Sequence, residues 1–359
     1  MRNPDFERLL RILSLEEADR VPFFEVYADN EVMEAVTGKP LTRMDLSDER
    51  QLEQYLRATA EFYGRLGYDY VPLRISPDFP RNNVLLTEDT AVIPRERRRW
   101  LDEQRGVIKN KEDLESYPWP DPDILVETRL ARLKILRRHL PSGMKTVPYT
   151  SGVFENVTRL LGTVPFLRKI YTDKNLVEAL FEKVGSTISF YVKAVAEENE
   201  VGAIVYNDDM GYKSGPMMSP NLFRRYVFPW QKMCAQKVHK AGKPFILHSC
   251  GNLRVLMEDL IEYVGIDAKH SYQDSTYSVT AYKKLYGHRI AILGGVDVDK
   301  LARLPLSEFK AYVKKIIREC APGGGYALGS GNTVTNYVSL NNYLVMLKTG
   351  EKYGRYPTR

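Results

Sequence analysis

Eight short runs rich in β-branched and aromatic residues recur along this 359-residue chain, with helical patterns filling most of the intervals between them. They fall at residues 21–27, 68–73, 145–150, 203–207, 244–248, 266–270, 289–294 and 325–328. Several are almost continuously apolar, which is the mark of parallel strands covered on both faces. Amphipathic stretches such as 48–66, 176–199, 220–241, 253–264 and 306–319 separate them. Eight strands alternating with helices predict an α/β fold of the (β/α)8 TIM barrel kind. A doubly wound sheet shares that alternation. The chain, however, has no Gly-x-Gly-x-x-Gly after its first strand and no Walker loop, so nucleotide binding has no support.

The regular spacing breaks once, after the second strand. Residues 74–126 contain Pro77, Pro80, Pro118, Pro120 and Pro122, and a structureless loop of that length is uncommon inside a compact unit. The expectation is one barrel domain over 1–359, with 74–126 as an excursion carrying small elements of its own over one rim, a lid or a partner surface.

Apolar residues at 43% and charged ones at 27% are ordinary for a globular chain. The net charge of +6 is modest, and the one basic run, from Arg95 to Arg99, reads as a solvated segment, so no nucleic-acid partner is expected. Three cysteines, Cys234, Cys250 and Cys320, are too few and too scattered for a disulfide framework. A reducing cytoplasm is the expected compartment. No apolar stretch approaches the roughly 18 residues of a membrane span, and no signal-peptide core opens the chain.

In barrels of this kind chemistry gathers at the C-terminal ends of the strands. The fifth run ends in His248-Ser-Cys250-Gly251, and side chains two apart on a strand point the same way. An imidazole and a thiolate converging there suit zinc or another borderline-soft cation. Glu25, set in an apolar run, needs a partner to offset its burial, for which a metal or an arginine such as Arg74 would serve, and it is the candidate third metal ligand. Asp208 and Asp209 follow the fourth run: one is expected to cap a turn, the other, taken as the catalytic Asp209, to reach the cavity as a carboxylate that can bind a cation or orient a substrate. His270 and Tyr272 complete the candidate catalytic set. Tyr27, Arg74, Tyr149, Asn207, Gln273 and Asn332 stand at other strand ends as candidate substrate contacts, the tyrosines as an aromatic wall. His239 and His288 precede strands and belong to the stability face. Cys234 and Cys320 lie in helical patterns and are expected to be packing residues.

The ordered set Arg20-Val-Pro-Phe-Phe-Glu25, Gly215-Pro-Met-Met-Ser-Pro220, His248-Ser-Cys-Gly251, Ile266-Asp-Ala-Lys-His270, Ile292-Leu-Gly-Gly-Val-Asp297 and Gly324-Gly-Tyr-Ala-Leu-Gly-Ser330 resembles the uroporphyrinogen decarboxylase superfamily. It is more similar to the corrinoid-dependent methyltransferase branch, of the O-demethylase kind. The resemblance runs from about Glu16 to Gly350 and implies a barrel, zinc, and a partner protein carrying a corrinoid (cobalamin). Two departures matter. The arginine-rich first strand of true decarboxylases is replaced by Phe23-Phe-Glu-Val-Tyr-Ala-Asp29, and the last-strand cysteine of thiol-methylating relatives is absent from Leu328-Gly-Ser-Gly-Asn332. Fewer thiolates leave a metal more electrophilic, which suits a methyl ether as donor. The implied activity moves a methyl group from a small methoxylated, aromatic or other donor to corrinoid cobalt. The alternative is a metal-free decarboxylase or lyase of a carboxylated substrate, with Arg74 gripping the carboxylate.

Overall fold

The computed structural model of the chain describes residues 3–81, 84–93, 95 and 97–357. Its first strand is β1 (Tyr70–Arg74), followed by a separate antiparallel hairpin of β2 (Val84–Thr87) and β3 (Arg98–Leu101). Then come β4 (Lys145–Ser151), β5 (Ile204–Asn207), β6 (Phe245–His248), β7 (Ala268–His270), β8 (Ala291–Leu293) and β9 (Tyr326–Ala327). β1 and β4 to β9 lie side by side in chain order, each parallel to the next. β6, β7 and β8 are buried along their whole length, which is why their sequences read as apolar runs.

The expected strand at 21–27 is corrected: this segment closes the ring without a ladder of its own. On one flank the Phe24 N–H donates to Leu328 O at 2.8 Å and the Leu328 N–H to Pro22 O at 2.9 Å. Ala28 and Val334 extend that parallel pairing. On the other flank a side chain replaces the backbone. The Tyr70 hydroxyl accepts from Glu25 N at 2.8 Å and donates to Glu25 O at 2.6 Å. Pro22 has no N–H to offer, so a regular ladder cannot start there. With this segment in the first position the wall is that of a (β/α)8 barrel.

Helices cover the outside, and their starts follow the sequence. Asp48, Asp121 and Asp173 each accept backbone N–H groups at the heads of Glu49–Arg65, Pro122–Arg137 and Lys174–Ala196. The expected helix over 220–241 is two, Pro220–Tyr226 and Phe228–Lys240, because Pro229 belongs in a first turn and not in a helix interior. Cys234 and Cys320 are buried in helices as packing residues. At the N-terminal face Arg8, 5% exposed, pairs with Asp69 and with Asp19, fastening the first helix to the foot of β1.

Within the excursion, the hairpin and the short helix Lys111–Ser116 precede Pro122–Arg137. The Asp89 carboxylate accepts from Asn336 Nδ2 at 2.6 Å, and Arg95 Nη2 donates to Asp29 at 2.6 Å. These bonds join the excursion to the end of the barrel where the strands finish. Among the described residues no helix is long and apolar enough to cross a membrane.

Candidate metal centre

His248 ends β6, opposite Asn207 of β5 on one side and His270 of β7 on the other. Residues in register share a face, so all three side chains belong to the barrel interior. Two residues on from Ser249, Gly251 adopts φ +85°, and a Cβ there would lie 2.2 Å from the Gly211 backbone. Only glycine permits that approach, and it brings Cys250 against the loop that carries Asp209. The Cys250 N–H donates to Asp209 Oδ1 at 2.7 Å, which fixes the carboxylate.

Ligand atoms of Asp209, His248 and Cys250 all lie within 4.8 Å of one another. His248 Nε2 is 3.8 Å from both Asp209 Oδ1 and Cys250 Sγ. Tetrahedral zinc with ordinary bond lengths spaces such donors about 3.4–3.6 Å apart. The nitrogen therefore needs to approach the sulfur and the oxygen by only a few tenths of an ångström to share one ion with them.

The imidazole behind this group decides which nitrogen is free. His270 Nε2 lies 3.1 Å from Ser330 O, a carbonyl that can only accept, so Nε2 carries the His270 proton. Burial lowers both histidines' proton affinity, His270 well below the usual range and His248 to about 3, so each ring is neutral and has one N–H. His270 Nδ1 is thus an acceptor, and at 2.7 Å it takes the proton of His248 Nδ1. His248 Nε2 is left with a bare lone pair facing Asp209 and Cys250. That is the tautomer a metal ligand needs.

The sulfur has its own surroundings. Asn332 Nδ2 donates to Cys250 Sγ at 3.3 Å, and Ser271 Oγ stands 3.4 Å away while giving its own proton to Gly331 O. Burial, then the charge of Asp209, pushes the free thiol up. A bound cation reverses that effect by favouring thiolate. Asn207 Oδ1, on the same face, is buried without a hydrogen-bond partner among the described residues, a polar atom in want of a ligand. The donor set, the tautomer and this orphaned oxygen all fit a cation with an open coordination position.

Not every candidate joins this centre. Glu25 is corrected as a metal ligand: Ser330 N donates to one carboxylate oxygen at 2.6 Å and Ser330 Oγ to the other, and it stands outside the three-residue group. Tyr272 is corrected as a catalytic group. Its hydroxyl donates to Lys269 O at 2.9 Å and its ring lies 4.5 Å from Lys269 Nζ, on the side of β7 opposite His270. Gln273 closes a turn, its carbonyl accepting from Thr276 and Tyr277. Asp208 is a cap: it accepts from Glu155 N at 2.8 Å, Phe154 N at 3.3 Å and Gln231 Nε2 at 2.9 Å, at the head of helix Val153–Leu161. Gly152 makes room for it, since a Cβ there would meet Asp208 Cγ at 2.3 Å. Tyr27 and Tyr149 stack with centroids 5.3 Å apart, and Arg74, on the neighbouring wall, is paired with Asp78 at 2.7 Å.

Two groups escaped the sequence reading. Lys269 is fully buried, pushed down to about 8 by desolvation, and donates to Ser271 O at 2.7 Å and Ser249 O at 3.3 Å. A lysine inside a buried strand had to find such acceptors, and that requirement was its signal. Glu155 is pushed up to about 8 by burial, with Asp209 and Asp208 adding to the rise and Arg159 opposing it.

Glu25 supplies a pH test. Burial pushes its carboxyl from 4.5 up to about 8, so the folded chain holds a proton that the unfolded chain has lost. Its contribution to stability therefore falls as pH rises from 4.5 to about 8 and is constant above that. Glu25→Gln keeps the bond from Ser330 N, reverses the one with Ser330 Oγ so that the amide donates, as a protonated carboxyl does, and has no titratable group. Thermal melts should show the variant gaining on the parent across this interval; a constant difference would mean that Glu25 is ionised when folded.

The comparisons with known proteins agree with this architecture. The uroporphyrinogen decarboxylase (URO-D) family profile matches residues 104–353. The uroporphyrinogen decarboxylase of Actinobacillus pleuropneumoniae serotype 5b is 19% identical over 261 residues, covering 69% of this chain and 70% of that protein. The uroporphyrinogen decarboxylase of Thermus thermophilus is 27% identical over 164 residues, 44% of this chain and 46% of its own. Among solved structures, a methyltransferase from Methanosarcina mazei superposes with a TM-score of 0.71 at 20% identity, covering 96% of this chain and 98% of that one. A B12-independent methionine synthase from Shewanella sp. W3-18-1 gives 0.51 at 11% identity, covering 84% and 87%. These likenesses establish the barrel, and because the family profile spans most of the sequence, the chain belongs to the uroporphyrinogen decarboxylase family.

Proposed function

We propose that this protein is a methyltransferase that moves a methyl group from a small methoxylated donor to the cobalt of a corrinoid carried by a partner protein, with zinc held by Asp209, His248 and Cys250. The observation that carries this reading is the convergence of one nitrogen, one sulfur and one oxygen ligand at the open end of the barrel. Three protein ligands leave a position for substrate, as in catalytic rather than structural zinc sites. When bound, zinc supplies Lewis acidity toward the ether oxygen of the donor.

The chain's own residues prepare that position. His270, anchored on Ser330 O, holds the His248 ring and its tautomer. Asn332 donates to the Cys250 sulfur, which lowers its electron donation and sharpens the site's pull on an oxygen. Glu155, raised mainly by burial and paired with Arg159 at 3.0 Å, is the carboxyl we assign to protonate the departing oxygen. The excursion after β1 covers the rim, and we assign it the approach of the corrinoid protein.

The test supplies the purified chain with zinc, a methoxylated aromatic donor and free cob(I)alamin, and follows methylcobalamin by its absorbance. Formation that disappears on chelation and returns with zinc supports the assignment. Release of carbon dioxide from a carboxylated substrate, indifferent to chelation, would replace it with the lyase.

A further inference from the structure

The 21–28 segment and the chain after β9 pair out of step. Phe23 lies opposite Leu328 and Ala28 opposite Val334, so five positions on one side answer six on the other. The extra residue makes a β-bulge, a device that re-aims groups beside a site. Carried on from Leu328, the parallel pattern would give the Ser330 N–H to Phe24 O and the Val26 N–H to Ser330 O. Instead the Glu25 carboxyl, 0% exposed, takes the Ser330 N–H at 2.6 Å and the Ser330 hydroxyl as well.

The Ser330 carbonyl is thereby released from the ladder and faces the other way. It accepts from Gly295 N at 3.1 Å and from His270 Nε2 at 3.1 Å, one donor for each lone pair. Gly294, at φ +76°, leaves room for that meeting, since a Cβ there would stand 2.3 Å from Ser330 O and 2.7 Å from His270 Nε2. Beyond His270 the line continues through the 2.7 Å contact of its Nδ1 with His248 Nδ1. Four residues from four separate parts of the sequence thus run in one direction, from a buried carboxyl to a metal ligand.

We infer that Glu25 is a positioning residue of the metal centre: by occupying the Ser330 N–H in place of a strand, it keeps the Ser330 carbonyl on His270 and so fixes the His248 ring with its Nε2 lone pair toward Asp209 and Cys250. This rests on the zinc centre of the methyltransferase reading and is independent of the methyl donor. Without the carboxyl, the Ser330 N–H is left in the interior with no acceptor. The nearest relief is the regular ladder with Phe24 and Val26, which withdraws the carbonyl from His270. Either His270 nitrogen can then carry its proton, and the same freedom passes to His248.

The chain has five histidines, few enough for nuclear magnetic resonance of labelled imidazole nitrogens to place the proton of each neutral ring. In the metal-free parent at neutral pH, His248 should carry its proton on Nδ1 and His270 on Nε2, each as a single form. Glu25→Gln should keep both forms and bind zinc as the parent does. Glu25→Ala should mix the tautomers of both rings and, in competition with a chelator, bind zinc about 10–100-fold more weakly. Glu25→Met, of similar length and equally without an acceptor, takes its place should Glu25→Ala melt too low. Tyr343→Phe breaks the 2.7 Å bond between the Tyr343 and Tyr68 hydroxyls, controls for packing, and should move neither readout. Parent-like tautomers and zinc affinity in Glu25→Ala or Glu25→Met, or equal losses in Tyr343→Phe, would overturn the inference. A parent with the expected tautomers that takes up no zinc would refute the metal centre and leave the hold of Glu25 on His248 standing. A parent that binds zinc beside an unchanged Glu25→Ala would refute the role of Glu25 and leave the centre.

Discussion

Purified beside its parent after dialysis against a weak chelator, His248→Ala is expected to hold almost no zinc where the parent holds near one equivalent per chain. The expectation follows from the tautomer chain. Ser330 O, His270 and His248 fix a single bare nitrogen toward Asp209 and Cys250, so removal of the ring deletes a ligand that no neighbour replaces. Cys250→Ser should fall nearly as far, because a neutral hydroxyl in place of a thiolate forfeits the strongest donor of the set. Changes behind a ligand commonly cost about 10–100-fold in metal affinity, so His270→Ala should retain zinc more weakly, and lose it at chelator concentrations the parent withstands. Elemental analysis reads all three. Equal zinc in parent and His248→Ala would remove the centre described above.

The second large effect belongs to Asp208, the carboxylate that never touches the metal group. Asp208→Ala leaves the N–H groups of Phe154 and Glu155 and the Gln231 amide without their acceptor, in a place water does not reach. Unsatisfied buried donors cost about 1–3 kcal/mol each, so a loss of at least about 3 kcal/mol is expected, seen as a fall of several degrees in melting temperature. Gly152→Ala attacks the same contact from the other side, since its Cβ would stand 2.3 Å from Asp208 Cγ. Both variants should also weaken zinc binding, because Asp209 is the adjoining residue. An Asp208→Ala chain that melts with the parent would show that helix Val153–Leu161 finds other partners for its first turn.

How far the site could be read from sequence depended on the distance over which each residue is determined. His248 was legible because it ends a buried strand, and Cys250 because it follows two residues on, where the close approach of Gly251 to Gly211 sets it against Asp209. The choice between Glu25 and Asp209 was not. Both are carboxylates at expected strand ends, and what separates them is Ser330, which lies 305 positions from Glu25 and takes both of its oxygens. The ring of Tyr272 was placed by Lys269 behind the strand, a cation whose partners are carbonyls of two different loops. The strands themselves were largely visible because burial on both faces leaves an apolar run. Only 21–27 misled, where a proline and a distant phenol replaced the ladder that β-rich composition implied.

That phenol has a consequence for how the wall yields. Everywhere else around the ring, neighbours are joined by several peptide bonds' worth of hydrogen bonding. Between the 21–28 segment and β1, one oxygen atom of Tyr70 satisfies both backbone groups of Glu25. The cylinder therefore has a designated parting line, next to a cavity lined in part by Tyr27 and Tyr149. Separation along it would break two hydrogen bonds and no strand ladder, so the seam is held by one phenol together with the ring contacts of Phe23 with Tyr68 and Phe24 with Tyr70 rather than by paired backbones.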